Sequence, residues 1–136
     1  MSEHLREARY VLQDVSLPAQ HHPVDDRSGS TSFALPGEWQ VIHAEGELDL
    51  ECVPRLRSLL TTAGPRVVLD LRLVTFMDAS GLGVLAAASE RARSLGGAVR
   101  LVGACHEVRR IVEVTRLEGV LSMFDSLLEA LVGTPA

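Results

Sequence analysis

Ser80 is the residue whose side chain and position most clearly indicate a chemical role. It lies in the segment Phe76-Met77-Asp78-Ala79-Ser80-Gly81-Leu82-Gly83, at the predicted start of a helix. Backbone N–H groups and the helix dipole at such a position favour a hydroxyl and can accommodate a phosphate. Gly81 and Gly83 keep the backbone uncluttered, so that another protein can approach closely. A helix N-cap at Ser80 fits the same pattern, and the residues alone leave both interpretations open.

Three carboxylates accompany this serine. Asp78 lies two residues before Ser80, where it can cap the helix or orient the Ser80 hydroxyl. Glu47 and Asp49 belong to a second turn-forming segment, Gly46-Glu47-Leu48-Asp49. They can line the same partner-facing edge, or they can be a solvated loop and a cap for the helix that follows.

Catalysis by Ser80 is disfavoured. A triad needs a histidine, and the candidates are His43, inside a predicted strand, and His106, at the start of a predicted helix. The residues around Ser80 do not form the G-x-S-x-G elbow, because Asp78 stands where the first glycine is needed. We therefore expect no enzyme activity.

Cofactor and metal sites are not indicated either. The chain has no phosphate-binding G-x-x-x-x-G-K-[ST] loop and no lysine, and Gly81-Leu82-Gly83 alone is a weak signal for nucleotides. Cys52 and Cys105 are far apart and lack C-x-x-C spacing. We interpret both cysteines as small apolar residues, and we expect neither a cofactor nor a metal ion.

Charge and hydropathy narrow the possible partners. The formal net charge is -5, which argues against nucleic-acid binding, since that binding depends on neutralising phosphates. No apolar stretch reaches the roughly 20 residues needed to span a bilayer, and charged residues follow Met1 without the apolar core of a signal peptide. A cytoplasmic protein without membrane contact is the expectation.

The 136 residues suffice for one domain. Residues 1–30 have few large apolar residues after Leu17 and are predicted to be a largely disordered extension, although Tyr10, Val11, Leu12 and Val15 can form a short helix or strand. Residues 31–132 are predicted to form the domain, and residues 133–136 a C-terminal tail.

Hydrophobic periodicity predicts an α/β fold in which strands and helices alternate. Such alternation indicates a mixed, mostly parallel five-stranded sheet covered by four helices. The predicted strands are residues 32–35, 39–44, 66–71, 98–102 and 121–124, and the predicted helices are residues 50–62, 80–95, 106–115 and 126–132.

The motifs together resemble those of STAS domains in bacterial anti-sigma factor antagonists. The resemblance is carried by Asp70-Leu71 with the segment from Phe76 to Val84, by Gly46-Glu47-Leu48-Asp49, and by Gly96-Gly97 with Leu101-Val102-Gly103. It covers residues 31–131. The family commonly has Ser or Thr where this chain has Ala79.

The resemblance implies a STAS-like fold and a phosphorylation switch. In that family the serine matching Ser80 is phosphorylated by an anti-sigma factor that is also a serine kinase with a histidine-kinase-like ATPase fold. The unphosphorylated antagonist binds this partner and releases the sigma factor, and a phosphatase resets the switch. The implied partner-binding residues are Glu47, Asp49, Asp78, Ala79, Gly81, Leu82 and Gly83. A STAS scaffold or sensor-complex domain with a different regulatory partner is the alternative.

Overall fold

A computed structural model describes residues 10–15 and 39–133. Strands and helices alternate along the chain from β2 onward, as the hydrophobic periodicity predicts. The elements are β1 (Tyr10–Asp14), β2 (Gln40–Leu48), a 3₁₀ turn (Leu50–Cys52), α1 (Val53–Thr62), β3 (Arg66–Met77), α2 (Ala79–Ser94), β4 (Ala98–Val102), α3 (His106–Val114), β5 (Ser122–Phe124) and α4 (Leu127–Val132).

The strands form a single mixed sheet in the order β1-β2-β3-β4-β5. β1 runs antiparallel to β2, and the other neighbouring pairs are parallel. The predicted α/β class, with a mostly parallel five-stranded sheet and four helices, is confirmed. Among the described residues, no helix combines the length and the hydropathy needed to cross a bilayer.

The central strand β3 separates two apolar layers. Val67, Leu69 and Leu71 lie in the larger core, on the face that α1, α2 and α3 cover. Val68 points to the opposite face and packs in a smaller core with Ala130 of α4. Burial on both faces explains the uninterrupted apolar run of this strand.

β3 is longer than predicted, and this length shapes the functional edge of the molecule. It continues to Met77, beyond the end of β4, and pairs with the extended part of β2 through two register shifts. Phe76 and Met77 therefore belong to the strand, whose predicted end was residue 71. A single residue, Asp78, separates the strand from α2.

The first strand, at Tyr10–Asp14, is the short strand that the sequence left open within the N-terminal extension. Tyr10–Asp14 pairs with Ile42–Gly46 of β2, and Leu12 is only 4% exposed in the larger core. The short alternation of inward Tyr10 and Leu12 with outward Val11 and Gln13 is too brief to predict a strand by itself. The predicted strand at residues 32–35 and the rest of residues 1–30 lie outside the described residues, apart from residues 10–15.

Candidate functional site

The ends of β2 and β3 bring the candidate residues of two motifs to one edge of the sheet. Leu48 is the register partner of Met77, so Asp49 and Asp78 each follow the last residue of neighbouring parallel strands. The backbone N–H of Asp78 donates to the Leu48 carbonyl across 3.3 Å, which ties the two strand ends together. We call this region, from Glu47 to Cys52 and from Phe76 to Gly83, the switch edge.

Asp78, and not Ser80, is the N-cap of α2. Its Oδ1 accepts hydrogen bonds from the backbone N–H groups of Ser80 and Gly81, at 3.0 and 3.1 Å. The same oxygen accepts the Ser80 hydroxyl at 2.6 Å. Both roles considered for Asp78 are therefore present together: it caps the helix and it orients the hydroxyl. Ser80 is the second residue of the helix and is half-buried.

The three donors decide the charge state of Asp78. Partial burial tends to raise the pKa of this carboxyl, but the hydrogen bonds from the Ser80 hydroxyl and from the two N–H groups outweigh it and lower the pKa below its usual value. Asp78 is consequently ionised at neutral pH. A negative charge thus lies within hydrogen-bond distance of the Ser80 hydroxyl before any modification.

The two glycines after Ser80 have different environments. Gly81 is buried, and a Cβ there would lie 2.6 Å from the Leu48 carbonyl oxygen, so this glycine allows α2 to approach β2. Leu82 is 2% exposed and belongs to the larger core. Gly81 and Leu82 therefore face the interior, and their part in partner binding stays a prediction. Ala79 and Gly83 are exposed, and nothing lies within 4 Å of a Cβ at Gly83.

Asp49 organises the turn that follows β2. Its side chain accepts the Glu51 N–H at 3.0 Å and its carbonyl accepts the Cys52 N–H at 2.9 Å. The predicted cap at this position therefore exists, although it caps the 3₁₀ turn and not α1 directly. Glu47 is half-buried and is the register partner of Phe76.

The pKa of the buried Cys52 thiol is affected by the carboxylates of the switch edge. Burial, together with the charges of Asp49 and Asp78, raises the pKa of its thiol to about 11. The thiol is fully buried and remains protonated at neutral pH, consistent with its interpretation as a small apolar residue. The carboxylates of Asp49 and Asp78 therefore act on the same buried group from two separate segments.

Two exposed apolar residues at the switch edge were missed by the sequence analysis. The sequence analysis placed Leu50 at the start of the first helix, but it lies in the 3₁₀ turn and is 69% exposed. Phe76, at the end of β3, is 44% exposed. The available signal was Pro54, which favours the first turn of a helix and so places the start of α1 after Leu50.

A second polar cluster lies between β2 and β3, away from Ser80 along the strands. Nε2 of His43 is 2.8 Å from Glu45 and Nδ1 is 3.4 Å from Asp70, which also receives two side-chain hydrogen bonds from Arg72. Among the described residues, His43 and Ser80 thus belong to separate hydrogen-bond networks. Within the described part of the chain, no group of three or more His, Cys, Asp or Glu residues is placed to hold a metal ion.

The chain is similar to known proteins in both sequence and fold. A family model described as "Mlab, STAS domain" matches residues 31–129. An anti-sigma factor antagonist from Mycobacterium paratuberculosis is 26% identical, with a TM-score of 0.61 over 76% of this chain and 90% of that one. Unphosphorylated SpoIIAA, an anti-sigma factor antagonist of Bacillus, is 21% identical, with a TM-score of 0.61 over 76% and 96% of the chains. A sulfate transporter family protein from Wolinella succinogenes is 20% identical, with a TM-score of 0.61 over 74% and 86%.

Proposed function

This chain belongs to the STAS domain family, and we propose that it is an anti-sigma factor antagonist switched by phosphorylation of Ser80. The unphosphorylated protein binds an anti-sigma factor that is also a serine kinase with a histidine-kinase-like ATPase fold, and so releases a sigma factor. Phosphorylation ends the binding, and a phosphatase restores it. The similarity to the anti-sigma factor antagonist of Mycobacterium paratuberculosis supports this assignment.

One observation carries the proposal: the Ser80 hydroxyl is half-buried at the switch edge and is held by Asp78 at 2.6 Å. Ala79 leaves Ser80 as the sole hydroxyl in the segment from Asp78 to Gly83. A kinase that docks on this edge therefore meets a single oriented acceptor. The antagonist supplies the serine, and the partner supplies ATP, magnesium and the catalytic groups.

Phosphorylation changes the switch edge in two ways. The phosphoester oxygen can no longer donate to Asp78, and the new group adds a charge of about -1.5 to -2. Two unit charges 4 Å apart repel by about 4 kcal/mol at an effective dielectric constant of 20. The N–H groups of Ser80 and Gly81 cannot neutralise the phosphate while Asp78 occupies them.

Loss of binding follows from this local conflict. Either Asp78 leaves the helix N-terminus or the phosphate turns outward into the partner, where it loses water. Each route costs binding free energy, and about 1.4 kcal/mol corresponds to a tenfold change in affinity. The switch therefore needs rearrangement only at the start of α2.

Phosphosite mapping tests the proposal. The protein is isolated from its native cell and also incubated with its kinase and ATP, and both samples are analysed by mass spectrometry. We expect phosphate on Ser80. Ser94 is the control, because it is exposed in the same helix but lies at its C-terminal end, away from the switch edge. Phosphate on Ser94 with none on Ser80 would contradict the switch.

A STAS domain that serves as a scaffold or sensor-complex component with a different regulatory partner is the alternative. The fold alone does not distinguish the switch from the scaffold, since the sulfate transporter family protein from Wolinella succinogenes has a similar fold. Pull-down from the native cell distinguishes the two. A kinase-fold anti-sigma factor supports the switch, whereas a partner that binds equally after phosphorylation of Ser80 supports the scaffold. We place the protein in the cytoplasm, where these partners act.

A further inference from the structure

Leu50 is exposed on a turn whose backbone is held by hydrogen bonds. Its side chain is 69% exposed, whereas Leu48 and Cys52, two residues to either side, are fully buried. The backbone around it is held by the cap at Asp49 and by the N–H of Val53, which donates to the Leu50 carbonyl. An apolar side chain on such a backbone loses little conformational freedom when a partner covers it.

The turn that carries Leu50 adjoins the start of the Ser80 helix. The Leu48 carbonyl accepts the N–H of Asp78 and lies against Gly81, so the segment before Leu50 is in direct contact with the residues that flank Ser80. α2 also packs against the 3₁₀ turn. The turn that carries Leu50 and the start of the Ser80 helix are therefore neighbours, so one partner surface can contact both.

Acidic residues flank this leucine in the chain. Asp49 and Glu51 are its two neighbours. The complement of an exposed leucine between two acidic residues is an apolar pocket rimmed by arginine or lysine. Leu128 is as exposed, at 68%, but lies on α4 against the opposite face of the sheet.

We propose that Leu50 is the apolar anchor of the switch edge and that it inserts into a basic-rimmed apolar pocket of the kinase that phosphorylates Ser80. The inference rests on the proposed function and adds a specificity-determining residue to it. The basic groups oppose Asp49 and Glu51 on the turn. The phosphate on Ser80 would lie beside Asp78 and not beside Asp49 or Glu51. In the unphosphorylated protein, the Ser80 hydroxyl and Asp78 form a hydrogen bond and not an ion pair.

The test compares three full-length variants, Leu50→Ala, Leu50→Met and Leu128→Ala, using as probe the kinase that phosphorylates Ser80 in vitro. We expect Leu50→Ala to weaken the dissociation constant at least tenfold, or about 1.4 kcal/mol. Leu50→Met should stay within about threefold, since it keeps the apolar volume. Leu128→Ala should change affinity less than twofold. Equal thermal unfolding of all variants excludes a folding defect.

The outcomes separate this inference from the proposed function. Unchanged affinity of Leu50→Ala for a kinase that does phosphorylate Ser80 overturns the anchor and leaves the switch intact. Self-association of the wild-type chain in sedimentation, abolished by Leu50→Ala, would show that a second copy covers the leucine and would also overturn it. If no kinase phosphorylates Ser80, the proposed function fails and the inference fails with it. Affinity for the kinase that does not decrease with added salt would contradict the basic rim.

Discussion

The Ser80 hydroxyl and the Asp78 carboxylate are joined by a 2.6 Å hydrogen bond at the first turn of α2. The same carboxylate oxygen accepts the first backbone N–H groups of that helix. Modification of the hydroxyl and capping of the helix therefore depend on one atom. In the proposed switch, a phosphate on Ser80 would therefore disturb the cap of α2 as well as the hydroxyl.

Asp78→Ala should destabilise the protein more than Ser80→Ala. The first variant removes the acceptor of three hydrogen bonds and the cap itself, and we expect a loss of about 1–2 kcal/mol in the free energy of unfolding. The second removes one donor and leaves the cap in place, for a loss of about 1 kcal/mol or less. Urea denaturation measures both losses. An equal or larger loss in Ser80→Ala would contradict the assignment of Asp78 as the N-cap.

Gly81→Ala and Gly83→Ala should have opposite effects on stability. Gly81→Ala should destabilise the protein, because a Cβ there would lie 2.6 Å from the Leu48 carbonyl oxygen, a backbone atom that cannot easily move away. At Gly83 the space is open, so alanine should stabilise the helix by about 0.5–1 kcal/mol. Thermal unfolding provides the comparison. Equal stability of the two variants would show that α2 does not pack against β2 as described.

Leu12→Ala should destabilise the domain although the residue lies in the predicted extension. Leu12 is buried in the larger core, and its carbonyl also accepts a hydrogen bond from Arg55. Truncation of a buried leucine costs about 2 kcal/mol or more. Val11→Ala is the matched control, since Val11 is exposed on the same strand. Removal of residues 1–30 should likewise lower the melting temperature, because β1 is lost. An unchanged melting temperature would place β1 outside the folded core.

His43 should make stability depend on pH. The hydrogen bond with Glu45 raises its pKa, burial opposes this, and Asp70 adds to the increase. Hydrogen bonds from Arg72 lower the pKa of Asp70 to about 2, against the effect of burial, so Asp70 stays charged above that range. A raised histidine pKa contributes stability that is complete below the unfolded value of about 6.5 and is lost as the pH rises through the folded value.

Unfolding of wild type and His43→Gln at several pH values checks this sign. The stability advantage of the wild type should shrink as the pH rises above about 6.5. Glu45→Gln should weaken the same dependence, because it removes the largest contribution to the raised pKa of His43. If the free energy of unfolding of wild type and His43→Gln changed in parallel with pH, the proposed contribution of His43 would be contradicted.

The order of elements was predictable because local periodicity and turn residues define it. Val67, Val68 and Leu69 indicate a buried strand, and Gly96 adopts a positive φ of 84° just beyond the end of α2. The proximity of Asp49 and Asp78 also follows from sequence, since each comes after a strand of one parallel pair. The buried strand and the helix end depend on near neighbours in the chain, whereas the proximity of the two aspartates follows from the pairing of parallel strands.

Features that depend on tertiary contacts were not predictable in the same way. The inward position of Gly81 depends on the carbonyl of Leu48, which is distant in the chain. Leu50 fits the helical spacing of α1 and leaves the core only because the 3₁₀ turn precedes the helix. β1 is a five-residue strand whose partner lies about 30 residues away, so its short alternation was a weak signal.

The most direct test is the affinity of the protein for its serine kinase with and without phosphate on Ser80. The stoichiometrically phosphorylated protein, the unmodified protein and Ser80→Ala are titrated against the kinase by calorimetry. We predict that phosphorylation weakens binding at least tenfold and that Ser80→Ala binds as tightly as the unmodified protein. Equal affinity of the phosphorylated and unmodified proteins would contradict the account.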